Sequence, residues 1–334
     1  MRKTLPSISI IVPVYNVAPF IEDCLASVAR QTYRGRLECI IVDDCGTDNS
    51  LALIKAFLAR YVGPVEFRLF CRQTNGGLSA ARNDGMRLMT GDYVYFLDSD
   101  DELTPDCMEH LSLPLEKGDY DIVVGDYQTR GTDRQYPPML LPDGEVLRDI
   151  EVARSYLCGK WYMMACGKLY NTGWVGHNAL AFREGIIHED ELWSFQAAYV
   201  AHSLVAVAHK GYIYKLREGS ITTSTAQHRR MQCWATIVEE AGRFVYERGL
   251  YKSQVLYDGI QQLLIRGLNS LEEHHEYELM ALLYKGFRRQ HTAKLGWLFR
   301  YDILRPRKFV RDFHYLLPGC MGRRLLFFLL HHIK

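Results

Sequence analysis

The chain has 334 residues, of which 48% are hydrophobic and 24% charged, as is usual for a soluble globular protein of one large domain or two. Its nine cysteines include no Cys-x-x-Cys pair, which argues against a zinc ribbon or a disulfide scaffold and favours a reducing compartment. The net charge of +1 conceals an asymmetry, because residues 281–334 carry 12 basic and 2 acidic side chains against 28 and 37 in the rest. An acidic body with a basic C-terminal segment predicts a surface partner for that segment.

Neither a secretory signal peptide nor a membrane-spanning helix is predicted. Residues 1–7 run directly into the apolar segment 8–12, which is too short for the hydrophobic region of a signal peptide. The apolar run at residues 325–330 is far shorter than the about 20 residues that a spanning helix needs. We therefore expect a cytoplasmic protein.

Apolar stretches alternate with helical spacing through the first part of the chain. The predicted strands cover residues 7–13, 37–42, 65–71, 93–97, 120–125, 165–170 and 203–214. The predicted helices cover residues 18–31, 51–61, 78–89, 145–157, 189–202, 232–248 and 254–271. This order predicts an α/β fold with a mostly parallel central sheet flanked by helices, followed by a C-terminal helical extension.

The strand at residues 93–97 is followed at once by a dense acidic stretch that contains Asp98, Asp100, Asp101 and Glu102. Carboxylates this close together repel one another, and a hard divalent cation bound through oxygens would neutralise them. The alternative interpretation is a solvated acidic turn before a helix.

Two earlier predicted strands also end in polar side chains, with Asn16 after the first and Asp43 and Asp44 after the second. Ligands of parallel α/β sheets bind beyond the carboxyl ends of the strands. We therefore expect these side chains and the acidic stretch to form one site. The glycine patterns of a dinucleotide fold and of a P-loop do not occur at this spacing.

Several segments, in this order, resemble the motifs of the family 2 glycosyltransferases, which are inverting enzymes of the GT-A fold. The segments are IVPVYN at 11–16, VDDCGTDNS at 42–50, NGGLSAARN at 75–83, FLDSDD at 96–101, Glu189-Asp190, and REGSI at 217–221. The chain departs from the family at Cys45-Gly46-Thr47, where Gly-Ser-Thr is more usual. The resemblance covers about residues 7–225, and strands are no longer predicted from about residue 227 onward. We therefore expect a catalytic domain over 1–225, with donor binding in about 1–115 and the acceptor side in about 116–225, and a helical extension over 226–334.

The resemblance also implies roles for individual residues. Asp190 would be the general base, with Glu189 as its neighbour, and an acidic helix start is the alternative interpretation of this pair. Asp98 and Asp100 resemble the DXD pair and would hold Mg²⁺ or Mn²⁺, although Asp101 could take either place. The nucleotide-sugar would contact Pro13, Tyr15, Asn16, Asp43, Asp44, Asn75, Gly77, Arg82, Asp98 and Ser99.

Within that set, Tyr15 would stack in the base pocket and Asp44 would accept a hydrogen bond from the uracil ring, while Asp43 would hold the strand end. Arg82 would meet the diphosphate, since a guanidinium matches phosphate geometry. The alternative for Arg82 is an arginine on a helix surface.

The residues expected on the acceptor side form no motif that identifies the acceptor. We expect acceptor specificity in residues 130–144, around Trp161 and Trp193, and in the helical extension. His188 and His209 receive no role as metal ligands, because a single histidine is more often structural.

The sequence thus predicts a metal-dependent inverting glycosyltransferase, a hexosyl- or N-acetylhexosaminyltransferase. It would transfer sugar from a UDP-sugar to a hydroxyl of a glycan or lipid-linked acceptor in cell-surface polysaccharide or glycolipid synthesis. A sugar nucleotidyltransferase and a non-catalytic nucleic-acid-binding protein are the alternatives. The acidic body argues against a nucleic-acid partner.

The C-terminal segment predicts attachment to the cytoplasmic face of a membrane. Its apolar side chains are Phe309, Phe313 and the run 325–330. Its basic side chains in this region are Arg305, Arg307, Lys308, Arg311, Arg323 and Arg324. The alternative is a helix packed on the catalytic body with its basic face in water.

Overall fold

The computed structural model describes residues 5–131, 138–216, 226–291 and 305–332. The chain divides into two compact units, Met1–Ser220 and Ile221–Lys334. The boundary predicted near residue 225 falls in a segment outside the described residues, and it stays a prediction.

The strands of the first unit form one sheet. Their bounds are β1 Ile8–Val14, β2 Leu37–Asp43, β3 Glu66–Cys71, β4 Tyr93–Phe96, β5 Glu102–Leu103, β6 Ile122–Arg130, β7 Val146–Arg148, β8 Lys168–Asn171 and β9 Ser203–Lys215. The strand order is β3-β2-β1-β4-β8-β6-β9-β5, and β7 pairs with β9.

The sheet has a parallel half and a mixed half. Strands β3, β2, β1 and β4 pair in parallel. Strand β8 then runs antiparallel to both β4 and β6, and β5 and β7 run antiparallel to β9. The α/β fold that the alternating pattern predicts is confirmed. Every residue of β1 and β2 is buried, which explains their nearly continuous apolar sequences.

Helices follow most of the strands of this unit. Their bounds are α1 Ile21–Ala29, α2 Ser50–Arg60, α3 Leu78–Leu88, α4 Cys107–Ser112, α5 Ile150–Leu157, α6 Thr172–His177 and α7 Glu189–Val200. The single helix predicted over residues 145–157 is wrong in its first part. Residues 146–148 pair with β9, and Asp149 has a φ of 47°, so the helix begins only after this left-handed residue.

The described part of the second unit is helical, as predicted. Its helices are α8 Gln227–Glu247, α9 Gln254–Glu273, α10 Tyr277–His291, α11 Pro306–Asp312 and α12 Gly319–His332. It has an apolar core of its own, to which α8 contributes Ile237, α9 contributes Leu264 and α10 contributes Phe287. Within the residues that the structure describes, none of the helices has both the length and the apolar character needed to span a bilayer.

Candidate functional site

The polar segments after β1, β2 and β4 lie side by side at one edge of the sheet. The Asp44 N–H donates to the carbonyl oxygen of Val14 at 2.9 Å, which ties the end of β2 to the end of β1. The Leu97 N–H donates to the carbonyl oxygen of Ile11 at 3.0 Å, on the other side of β1. These backbone contacts confirm that the strand ends converge, as the sequence predicts.

Asp44 holds the loop that leads into α3. Its carboxylate accepts the N–H groups of Gly76 at 2.9 Å and Gly77 at 2.7 Å, and it pairs with Arg72 at 2.5 Å. The side chain of Asn75 donates to the Asp44 carbonyl oxygen at 2.9 Å. A carboxylate has about four acceptor positions, so three bonds leave room for one further donor.

Arg72 is a residue of this site that sequence patterns alone do not single out. Its Nε lies 2.6 Å from Asp84 Oδ2 on α3, while its Nη1 contacts Asp44. The local signal is a basic residue directly after the third strand, which is a weak one. Arg72 therefore neutralises Asp44 and links the middle of α3 to the end of β2.

Asn16 joins the loop after β1 to the loop after β2. Its Oδ1 accepts the N–H groups of Thr47 at 2.7 Å and Asp48 at 3.2 Å, and its φ is 52°. This left-handed conformation is tolerated by asparagine better than by most residues. The neighbouring Tyr15 is 49% exposed, so its ring is available for contact with a ligand.

Asp43 has a different environment from Asp44. Its carboxylate accepts a long hydrogen bond of 3.3 Å from the Gly46 N–H. Burial raises the pKa of Asp43 above its ordinary value. Pro13 and Ser99 are also buried, whereas Asn75 is exposed.

A buried arginine connects the acidic stretch after β4 to the start of α7. Arg82 on α3 is 2% exposed, and its two terminal nitrogens donate to Asp98 and Glu189, each at 2.6 Å. Its guanidinium lies 5.0 Å from the centre of the Phe182 ring. The alternative of a surface arginine is therefore wrong, because a buried cation needs such partners. Direct contact of Arg82 with a diphosphate stays a prediction.

The acidic stretch contains one buried and two partly exposed aspartates. Asp101 is 1% exposed and accepts the hydroxyl of Tyr212 and the N–H of Lys215, the latter at 2.7 Å. Burial, reinforced by Asp100 and Asp98, raises the pKa of Asp101 well above its usual range. Asp98 and Asp100 remain partly exposed, and carboxylate oxygens of this kind fit a hard divalent cation.

The two acidic residues that open α7 differ in their partners. Glu189 is neutralised by Arg82, whereas the Asp190 carboxylate accepts the N–H of Glu191 at 3.0 Å. Burial, followed by the charges of Glu189 and Glu191, raises the pKa of Asp190 to about 8. A carboxyl group that titrates near neutral pH is suited to general base catalysis.

An aromatic cluster fixes α7 against β4. Trp193 of α7 stacks on Phe182 at 4.3 Å and meets the edge of Phe96, in β4, at 5.4 Å. Trp193 is 1% exposed and Trp161 is 3% exposed, so both indole rings belong to the core. The acceptor specificity expected around these two rings stays a prediction, and it concerns the residues that surround them.

Two expectations from the sequence lie wholly or partly outside the described residues. The segment 217–221 is outside them, as is the stretch 132–137 of the expected acceptor region 130–144.

The chain is similar to known proteins over most of its length. The family model described as Glycosyl transferase family 2 matches residues 9–175, which is half of the chain. Glycosyltransferase GlyA of Streptococcus pneumoniae is 28% identical over 308 residues, which are 86% of this chain and 42% of GlyA. The chain therefore spans less than half the length of this relative.

Two further similar proteins come from Staphylococcus aureus. Poly(ribitol-phosphate) beta-N-acetylglucosaminyltransferase TarP is 26% identical over 256 residues, 75% of each chain. The crystal structure of TarS residues 1–349 in complex with UDP-GlcNAc has a TM-score of 0.63 at 18% identity, and it covers 96% of this chain and 90% of that one. At this identity the TarS match shows the fold.

The Arg82 contacts predict a large effect on stability. Arg82→Met should lower the free energy of unfolding by about 3–5 kcal/mol, because it leaves the buried carboxylate of Glu189 without a positive partner. Asp98, which is partly exposed, loses the same partner. Arg60→Met is the matched control, since Arg60 forms an exposed pair with Glu22 and its loss should cost about 0–1 kcal/mol. Urea unfolding followed by circular dichroism measures both changes.

A second variant separates lost charge pairing from lost packing. Adding Glu189→Gln to Arg82→Met should recover part of the lost stability, because it removes one uncompensated charge. The interpretation fails if Arg82→Met costs no more than Arg60→Met.

Proposed function

Because the chain belongs to glycosyl transferase family 2 and has the GT-A fold, we propose that it transfers a sugar from a UDP-sugar to a hydroxyl acceptor with inversion. The observation that carries the mechanism is the pair of unlike carboxylates at the start of α7. Glu189 is neutralised by Arg82, while Asp190 keeps a raised pKa beside the acidic stretch after β4. Glu189 is therefore proposed to have a structural role, and Asp190 is proposed to transfer the proton.

The donor half of the site is proposed from the strand ends. Tyr15 offers an exposed ring to the base, and Asp44 retains one acceptor position for a ring N–H. Asp43 is a second acceptor beside it. The names of TarP and TarS make UDP-GlcNAc the first donor to test. The group that we propose to be transferred is a hexosyl or an N-acetylhexosaminyl group.

Asp98 and Asp100 are proposed to hold a Mg²⁺ or Mn²⁺ ion. Both are partly exposed, whereas Asp101 is committed to Tyr212 and Lys215. The bound ion supplies positive charge that offsets the charge of the diphosphate leaving group. Arg82 acts through Asp98, because its hydrogen bond fixes the orientation of that carboxylate.

Asp190 is proposed to accept the proton of the acceptor hydroxyl as its oxygen attacks the anomeric carbon. The bond to the UDP oxygen breaks on the opposite side, so a single displacement inverts the anomeric centre. The helix N-terminus favours the ionised form of Asp190, while burial and the two neighbouring carboxylates oppose it. The acceptor is proposed to be a glycan or a lipid-linked sugar of the cell surface.

Donor turnover and the role of Asp190 can be tested together. A panel of UDP-sugars and GDP-mannose should give UDP release from one UDP-sugar, and NMR of the product should show an inverted anomeric centre. Asp190→Asn should lower kcat by about 10²–10⁴-fold, because it keeps the shape and removes the base. Pyrophosphate release from a sugar phosphate and UTP would instead identify a nucleotidyltransferase.

The pH dependence of the reaction distinguishes the role of Asp190 from that of Glu189. A base acts when deprotonated, so kcat/KM should fall about tenfold per unit on the acidic side of the Asp190 pKa, which is about 8. Glu189→Gln removes a charge that raises this pKa, so the acidic limb should move to lower pH. A wild-type limb that persists unchanged in Asp190→Asn would exclude Asp190 as the base.

The metal proposal predicts loss of activity without loss of fold. Asp100→Ala should abolish turnover with either cation and keep the melting temperature, because Asp100 is a partly exposed side chain. Glu151→Gln, which removes a surface carboxylate on α5, is the matched control and should leave turnover unchanged. Full activity of Asp100→Ala in the presence of EDTA would contradict a cation at this position.

Membrane attachment through the second unit is also proposed. Four apolar side chains are exposed on or beside α11 and α12, namely Val310, Phe313, Met321 and Phe328. Arg307, Arg323 and Arg324 are exposed as well. Arg305 and Lys308, by contrast, pair with Asp258 of α9, so only part of the basic charge is available to lipid.

Vesicle binding tests this proposal. Arg323→Gln/Arg324→Gln should weaken binding to phosphatidylglycerol vesicles, since each basic residue near an anionic surface contributes about 1 kcal/mol. Lys117→Gln/Lys160→Gln makes the same change in charge on the first unit and should have no effect. Equal sedimentation of the wild type with neutral and anionic vesicles would favour a helix that only packs on protein.

A further inference from the structure

A second group of metal-binding side chains lies on the first unit, built from residues that the proposed transfer reaction does not use. Asp106 immediately precedes α4, His110 is one turn further along that helix, and His209 lies in β9. The ligand atoms of these three side chains all lie within 4.8 Å of one another. The group thus joins a short helix to a strand of the central sheet.

The two imidazoles converge on one carboxylate. Asp106 Oδ1 lies 3.0 Å from His209 Nε2, and Asp106 Oδ2 lies 3.5 Å from His110 Nε2. The rings stack with centroids 3.9 Å apart and planes 11° from parallel. Because a metal lies in the plane of an imidazole that binds it, the His110 ring, which is 42% exposed, has to turn about its Cβ–Cγ bond for both Nε2 atoms to bind one ion. Ligands of a tetrahedral Zn²⁺ lie about 3.3–3.6 Å from one another when each is about 2.0–2.2 Å from the metal.

The surroundings hold two of the three side chains, Asp106 and His209, in place. Thr104 donates its hydroxyl hydrogen to Asp106 Oδ1 at 2.7 Å, and the same hydroxyl lies 3.3 Å from His209 Nε2. Hydrogen bonds of this kind orient metal-binding carboxylates. A Cβ at Gly211 would lie 2.6 Å from Cys107 Sγ, so glycine is what allows β9 to approach α4 closely enough for the histidines to meet.

We propose that Asp106, His110 and His209 bind a zinc-type divalent ion that is separate from the cation of the transfer reaction. Two imidazoles and one carboxylate suit Zn²⁺, whereas Mg²⁺ and Mn²⁺ prefer oxygen ligands. The side chains are 43%, 42% and 24% exposed in the order Asp106, His110 and His209, so an ion can reach them from solvent and a water can complete the shell.

A bound ion would stabilise the segment that directly follows the acidic stretch. Strand β5 follows Asp101 directly and pairs with β9 at Glu102–Ile213 and Leu103–Tyr212. Asp106 and His209 lie three residues beyond the Leu103–Tyr212 pair on the same two segments. A metal bound to both would therefore hold these segments together beyond the end of the strand pairing. The site is therefore structural, and its occupancy should change stability and leave the requirement for Mg²⁺ or Mn²⁺ in place.

Metal titration of the full chain tests the proposal. After EDTA treatment and desalting, Zn²⁺ should bind with a stoichiometry of one in competition with a chromophoric chelator and should raise the melting temperature. His110→Gln and His209→Gln should each weaken Zn²⁺ binding by at least about tenfold and abolish the rise in melting temperature. His202→Gln is the matched control, because His202 pairs with a single exposed carboxylate, Asp149.

Two readouts distinguish this site from binding by cysteines and from misfolding of the variants. Co²⁺ in place of Zn²⁺ should give a spectrum without the intense near-ultraviolet band of thiolate ligands, which excludes binding by the exposed Cys71, Cys158 and Cys320. The melting temperatures of the metal-free variants should match that of the metal-free wild type, which shows that they fold. Binding that is equal in the wild type, His110→Gln and His209→Gln would overturn the proposal.

Discussion

A single buried charge holds the candidate site together. The guanidinium of Arg82 lies inside the protein, where an ion without partners is very unfavourable, and its partners come from two distant parts of the chain. Asp98 follows β4, and Glu189 lies 107 residues beyond Arg82 at the start of α7. The acidic stretch, α3 and the start of α7 must therefore take their places together and form as one structure.

This arrangement also gives different partners to carboxylates that look alike in the sequence. Glu189 and Asp98 share the arginine, and Asp101 is held by Tyr212 and the Lys215 backbone. Asp190 lies beside these groups and is partly exposed, and desolvation together with the charges of Glu189 and Glu191 raises its pKa. Acidic residues that are neighbours in the sequence thus have different surroundings, and for Asp101 and Asp190 these surroundings raise the pKa.

Local sequence predicts the parallel half of the fold and the motifs at its strand ends, because continuous apolar runs and strand-end polar residues are short-range signals. Long-range pairing is not visible in such signals. The antiparallel insertion of β8, the partners of Arg82 and the pairing of residues 146–148 with β9 all depend on contacts between distant segments. The same limit explains why His209 looks solitary in the sequence, since Asp106 is 103 residues away.

The position of β9 has a consequence for how the chain can be divided. β9 is the last strand of the first unit, yet its end holds Asp101 through Tyr212 and Lys215. A fragment that stopped before this strand would keep the loops after β1, β2 and β4 and lose the two groups that bind the buried carboxyl of Asp101. The part of the first unit that precedes β9 is therefore not a separable module, and a chimera made with a relative would have to carry β9 along with the acidic stretch.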